Sequence, residues 1–284
     1  MLTGLHPNSD GILTNAQIFR QTIPTHISLP QAFRLGGYFA ARIGKLYHYN
    51  VPMSIGTNGH DDPGSWEMEM NPAGCDRLEE ESSIYSLTPG QFGGTLSWYA
   101  SPQPDAKHTD GLEAADAEWI LERCARQKDR PFFLAVGFFR PHTPYVAPRT
   151  YYDKYPPGDM PVVRGIAEDR EDIPKAALMS HKKEQDKLTD DLRRQAVQAY
   201  FASISFMDAQ TGRVLDALDS VGLRGDGRLL ALGSYENRVY QIGIEDADPV
   251  DAKFYRPGRW SDEAIGEEQG FVAELAAREI PVVA

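Results

Sequence analysis

From Pro131 to Gly137 the chain is almost unbroken apolar, and the run ends at Phe138-Phe139-Arg140-Pro141-His142-Thr143-Pro144-Tyr145. A continuous apolar run of this length, entered through a proline, predicts a strand covered on both faces, as in a parallel sheet. Upstream, Gly111 to Gln127 has helical periodicity, with Leu112, Ala115, Trp119 and the turn from Ile120 to Cys124 predicted to face inward. Helix, short loop and buried strand form an αβ unit. Leu29 to Leu35 predicts a short helix stopped by Gly36-Gly37, and Tyr38 to Ile43 a short strand. Thr189 to about Val221 predicts a long helix with Thr189 as N-cap, and with Ala196, Ala199, Tyr200, Ile204, Met207, Val214, Leu215 and Leu218 on its apolar side.

Between these elements the pattern weakens. Residues 1 to 27, 50 to 110 and 146 to 186 are rich in Gly, Pro, Asn and Asp and predict loops, the second an elaborated functional region. After Gly222 the texture changes. Arg228 to Ile244 and Val250 to Tyr255 alternate like antiparallel strands, and Ser261 to Arg278 predicts a helix with Ser261 as N-cap. About 60 residues of this kind are marginal for folding alone. The expectation is therefore an α/β protein with a main domain over 1–222 and a small α+β segment over 223–284.

Composition narrows the classes. With 284 residues, 41% hydrophobic and 25% charged, the chain has the makeup of a globular protein. A net charge of -12 argues against nucleic acid or an anionic membrane surface as main partner. No apolar run is long enough to span a bilayer, and Met1 to Pro7 lacks the regions of a signal peptide. Cys75 and Cys124 have no metal-ligand spacing and are expected to be separate thiols.

Candidate chemistry gathers at predicted strand ends, where open α/β sheets bind ligands. Lys45 and His48 follow the strand ending near Ile43, and His142 follows the apolar run. A lysine and two histidines converging there would make a cationic pocket for a tetrahedral anion; three unrelated surface residues is the alternative. His60-Asp61-Asp62 permits metal ligation, with a solvated turn as the expected state, and Glu79-Glu80-Glu81 is expected to be a solvated face. Lys253, inside an apolar strand, would need an anionic partner such as Glu267 or Glu268, or would snorkel from an edge strand.

Several segments carry a family resemblance: Leu2-Thr3-Gly4-Leu5-His6-Pro7, the unit from Gly37-Tyr38 to His48, Gly93 to Trp98, Pro131 to Pro148, and Ala199 to Gln210. Residues 1 to about 222 resemble the iduronate-2-sulfatase-like branch of the sulfatases. That resemblance implies an alkaline-phosphatase-like α/β/α sandwich, here partial, and hydrolysis of sulfuric esters of a small molecule or glycan. It also implies a bound calcium ion and a formylglycine nucleophile. Lys45, His48 and His142 fall on positions that hold the sulfate or help protonate the leaving group. The chain departs from the pattern in ways that predict an inactive form. The Cys/Ser-x-Pro-x-Arg motif would precede Met1, neither cysteine matches it, and the metal aspartates and a later Asp-His-Gly are absent. Family members are typically exported. Lost core strands would leave sheet edges open to self-association.

From about Val221 to Ala284 the chain resembles the start of the stress-response kinase A family, through Ser234 to Gln241 and Lys253-Phe254-Tyr255-Arg256-Pro257-Gly258-Arg259-Trp260. That likeness implies a partial kinase N-lobe in which Lys253 contacts ATP phosphates and Glu267 or Glu268 pairs with it. The whole resembles a fusion of two partial proteins, joined between 212 and 227.

Overall fold

The computed structural model describes residues 2–162, 171–179, 181–222, 225–232, 238–244, 247–254 and positions 261, 263, 266, 267 and 270, with the backbone alone described in the strands from 225 onward. Two single helical turns, α1 (Pro7–Asp10) and α2 (Phe19–Thr22), precede α3 (Leu29–Leu35). The Ser28 hydroxyl caps α3 by accepting from Gln31 N at 3.3 Å. The first sheet then forms from β1 (Phe39–Gly44), β2 (Met68–Met70) and β5 (Phe132–Gly137), parallel throughout in the order β2-β1-β5. The second, of order β3-β4-β6, joins β3 (Tyr85–Ser86), β4 (Ser97–Ser101) and β6 (Tyr145–Pro148). The third is an antiparallel meander of β7 (Gly225–Leu232), β8 (Arg238–Ile244) and β9 (Ala247–Phe254). Three strands therefore occupy the stretch where the alternation suggested two.

Helix α5 (Thr109–Arg126) lies on one face of the first sheet. Ala117, Ile120 and Cys124 pack against Ala41 and Ile43, and Phe132, Leu134 and Val136 join from β5. On the other face Phe33 of α3 stacks on Phe133 at 4.6 Å. The central strand β1 is buried along nearly its whole length, whereas every position of β5 is only half-buried. Side chains of β5 thus meet a covering element on each face, as expected; its positions stay half-buried because β5 is an edge strand among the described residues, with a neighbour on one side alone. The inward side of α5 is rotated from expectation. Ala115 and Trp119 are exposed, and Glu113, Ala114, Ala117, Ile120, Leu121 and Cys124 are buried. Leu112 and Trp119 favoured one side by bulk, but the close helix–sheet approach needs the small side chains of Ala114 and Ala117.

Short helices α4 (Cys75–Leu78), α6 (Arg149–Tyr152) and α7 (Lys175–Leu178) punctuate the predicted loops. The long α8 (Asp190–Ser220) covers the second sheet. Its Thr189 cap accepts from Leu192 N at 3.2 Å, as the sequence indicates. Ala196, Ala199, Ala202 and Phe206 pack on Trp98, Ala147, Tyr151 and Tyr152. Tyr200 and Leu215, expected inside, are exposed. Arg213 ties α8 to α5, donating to Glu118 Oε1 at 2.9 Å and to Gly111 O at 3.0 Å. Among the described residues no helix is long and apolar enough to cross a membrane. The predicted helix from Ser261 to Arg278 lies largely outside the described residues; positions 263, 266, 267 and 270 are helical.

Candidate anion site

The parallel pairing of β1 with β5 brings Gly44 opposite Gly137, so both strands end level. The ladder continues one step further, with Lys45 N donating to Gly137 O at 2.6 Å. Gly44 has φ +67°, and a Cβ there would fall 2.2 Å from Glu113 Oε1 and 2.4 Å from Gly137 O. Glycine is thus required both by the left-handed backbone and by the close approach of α5. Glu113 itself is fully buried, and neither carboxyl oxygen has a hydrogen-bond partner. Burial first, then Asp110 and Asp76, raise its pKa well above the usual carboxylate range.

His142 is fixed from several directions. Its N–H donates to Phe139 O at 2.9 Å, and its Nδ1 lies 2.6 Å from Thr143 O. A carbonyl only accepts, so Nδ1 carries the proton in the neutral ring and Nε2 is the nitrogen that titrates. The peptide bonds Arg140–Pro141 and Thr143–Pro144 are both cis. Asp110 accepts from the N–H groups of Phe139 and Arg140, each at 3.0 Å, and Thr143 Oγ1 donates to Gly93 O at 2.5 Å. Phe139 is buried with Tyr49, Val51 and Ile55, which packs the loop after Lys45 against the loop bearing His142.

Lys45, His48 and His142 lie close enough to act on one another electrostatically, and His60 joins His48. The His48 and His60 rings lie 5.7 Å apart. The pKa of His48 is lowered by burial first, then by Lys45, His60 and His142. That of His142 is lowered by burial, with Lys45 and Arg140 opposing its positive charge and the Thr143 carbonyl favouring it. Lys45 is lowered by burial. Among the described residues, the side chains that act most strongly on the two histidines are basic, Lys45 and Arg140 with His60, and such surroundings suit an anion. His60 was placed by sequence only in a metal-or-turn context; its proximity to His48 depends on the chain folding back, with His60 N donating to His48 O at 3.1 Å.

The neighbouring carboxylates are not solvated, contrary to expectation. Asp61 takes a 2.5 Å bond from Arg42, which is fully buried in β1, and a 3.1 Å bond from Trp66. Asp62 pairs with Arg20 at 2.5 Å and accepts from Ser65 at 2.6 Å. A buried arginine requires such partners, and this decides the turn's conformation. Glu80 is likewise buried, accepting from Ser101 at 2.7 Å, where the acidic run suggested a solvated face. Calcium takes six to eight oxygen ligands; the side chains that act most strongly on His48 and His142 are basic, and Asp61 and Asp62 are held in ion pairs. The described residues at this site do not fit calcium.

Lys253 sits on β9 opposite Val239 of β8. Its side chain and Glu268 lie outside what is described, while Glu267 is helical and exposed.

An α/β protein with a cationic site at the ends of parallel strands is the class that fold and site define. The sequence profile of the Sulfatase family matches residues 1–231, and the chain belongs to that family. It is 32% identical over 231 residues to a sulfatase of Formosa agariphila, covering 77% of this chain and 44% of that protein. With the human iduronate 2-sulfatase it shares 26% over 284 residues, covering 91% of this chain and 50% of the relative. The chain therefore spans about half the length of the sulfatases it matches. A stretch forming 29% of the chain is 45% identical over 82 residues to stress response kinase A of Salmonella choleraesuis, covering 25% of that protein.

Proposed function

We propose that Lys45, His48 and His142 bind the sulfate group of a sulfated small molecule or glycan, and that the chain as given does not hydrolyse it. The observation that supports the first half is the clustering of basic groups beyond the level ends of β1 and β5, where, after burial as the largest cause, Lys45, His60 and His142 lower the pKa of His48. Lys45 would supply a point charge. His142 would donate from Nε2 once protonated, because Nδ1 is already engaged with Thr143 O. The second half rests on the lack of a competent nucleophile. Sulfuric ester hydrolysis needs an activated nucleophile and a group to offset developing charge. Both thiols are free and buried, and burial, then Glu80 and Asp76, pushes Cys75 up to about 12. Members of the sulfatase family generally use a metal ion, calcium by the resemblance, but the site's donors do not fit it and no step is routed through one.

Calorimetric titration with sodium sulfate tests the binding: heat with one site per chain is expected, lost in Lys45→Met. Absence of binding to folded wild-type protein would eliminate the reading. Turnover of an aryl sulfate by the purified chain, abolished by His142→Ala, would overturn the claim of inactivity.

A second reading is favoured by the identity to stress response kinase A. In it, residues 223–284 form a partial kinase N-lobe in which Lys253 contacts the ATP phosphates and Glu267 or Glu268 pairs with Lys253. A nucleotide-dependent rise in melting temperature, lost in Lys253→Ala, is its expected signature.

A further inference from the structure

Apart from the anion site, α4 and the start of α5 enclose a second cluster of chemistry-bearing groups. Cys75 opens α4, Glu80 follows its end, and His108 is the residue before α5. Their donor atoms, one sulfur, one carboxylate oxygen and one imidazole nitrogen, all lie within 4.8 Å of one another. All three residues are buried, at 4%, 8% and 1% exposure. Neither nitrogen of His108 makes a hydrogen bond, and Glu80 Oε2 has none either. Glu80 Oε1 is held by the Ser101 hydroxyl at 2.7 Å, which aims the second oxygen.

Unsatisfied polar atoms this deep cost about 1–3 kcal/mol each unless something completes them. The cluster holds several together, on a frame that is itself tied by hydrogen bonds and an ion pair. Asp76 accepts from both Thr109 N and Thr109 Oγ1 at 2.8 Å and pairs with Arg140 at 2.7 Å. Gly74 N donates to Thr109 Oγ1 at 3.0 Å, and a Cβ on Gly74 would lie 2.3 Å from Thr109 N. The backbones bearing Cys75 and His108 are thereby clamped together.

We propose that Cys75, Glu80 and His108 form a structural site for a borderline divalent cation of the zinc class. A thiolate, an imidazole and a carboxylate are the donor types that zinc takes, at bonds of roughly 2.0–2.3 Å. The present spacing needs only a contraction of about 1 Å to reach such bonds. The fourth position falls to a water molecule or to the second oxygen of Glu80. Binding forms the sulfur–metal bond as the Cys75 S–H bond breaks and its proton passes to solvent. His108 is already suited to this, since burial, its largest influence, lowers its pKa and favours the neutral ring. With no exposed face the site does no chemistry on a substrate. It braces α4 against α5, and through Asp76 and Arg140 it supports the loop that carries His142.

The test is cobalt(II) titration of chelator-treated, untagged, reduced protein, followed by zinc competition. One equivalent of cobalt should bind with a thiolate-to-cobalt charge-transfer band that zinc abolishes. Cys75→Ser should lose the band, while Cys124→Ser and His142→Ala should keep it. Retention in His142→Ala separates this site from the histidines of the anion site. His108→Gln, which preserves shape, should weaken binding at least tenfold, and zinc should raise the melting temperature of wild type but not of this variant. A folded wild type that binds no stoichiometric cobalt, or a band that survives Cys75→Ser, would overturn the proposal.

Discussion

Gly44 shows how a single position controls the candidate site. It ends β1, adopts φ +67° and leaves room for the carboxyl of Glu113, one residue before Lys45. Gly44→Ala combines left-handed strain, worth about 1–3 kcal/mol, with overlap against Glu113 and the Gly137 carbonyl. The expected result is a loss of about 2 kcal/mol or more in denaturant unfolding, with weakened sulfate binding because Lys45 shifts. Unchanged stability would contradict the packing described. The sequence singled out Lys45, His48 and His142 because glycine, lysine and histidine at predicted strand ends carry a local signal. Asp61 and Asp62 were misread because their state depends on partners 19 and 42 residues away, Arg42 and Arg20. Cys75 and His108 carried no signal for the same reason: their meeting requires Asp76 to bind Thr109.

At the scale of elements, α8 and α5 were visible as periodic segments with caps, and their ends fall within about two residues of expectation. Which side faces inward was less legible. On α8 the buried line is Ala196, Ala199, Ala202, Ser203, Phe206 and Gln210, and its small members Ala196, Ala199 and Ala202 admit the aromatic side chains of Trp98 and Tyr151. Hydrophobicity alone favours Tyr200 and Leu215, which are exposed. Ala199 is fully buried, so Ala199→Leu should overpack this contact and cost about 1–3 kcal/mol. The check is the midpoint of urea unfolding with the slope held; a neutral or stabilising result would mean that the helix does not press on β4 and β6. The short elements β2, β3 and α4 were hidden because segments of two to four residues leave no periodicity to read.

At the scale of the molecule, the apolar run from Phe132 to Gly137 forms, among the described residues, an edge strand whose positions are all half-buried. Such an edge presents unpaired backbone groups to other chains. Concentration-dependent association is expected in sedimentation velocity. A monomer at every concentration would argue against an open edge. The α/β class and sulfatase kinship were readable from the strand and helix pattern and from motifs dispersed between Leu2 and Gln210. The edge position of β5 was not, because strand order is set by neighbours in space.

The central claim is that Lys45, His48 and His142 hold an anion, and its direct test is the pH dependence of sulfate affinity. In the free protein both histidines have pKa values below their ordinary value, from burial and from neighbouring cations. A bound sulfate favours the charged rings and raises those values. Affinity should therefore increase as pH falls through the bound-state pKa values, and level off below the free-state ones. Each coupled proton contributes up to about tenfold per pH unit. Isothermal titration with sulfate between about pH 8 and about pH 5.5 should show at least a roughly tenfold gain in affinity with net proton uptake, and His142→Gln should flatten the profile. Affinity that is independent of pH, or that rises with pH, would contradict the account.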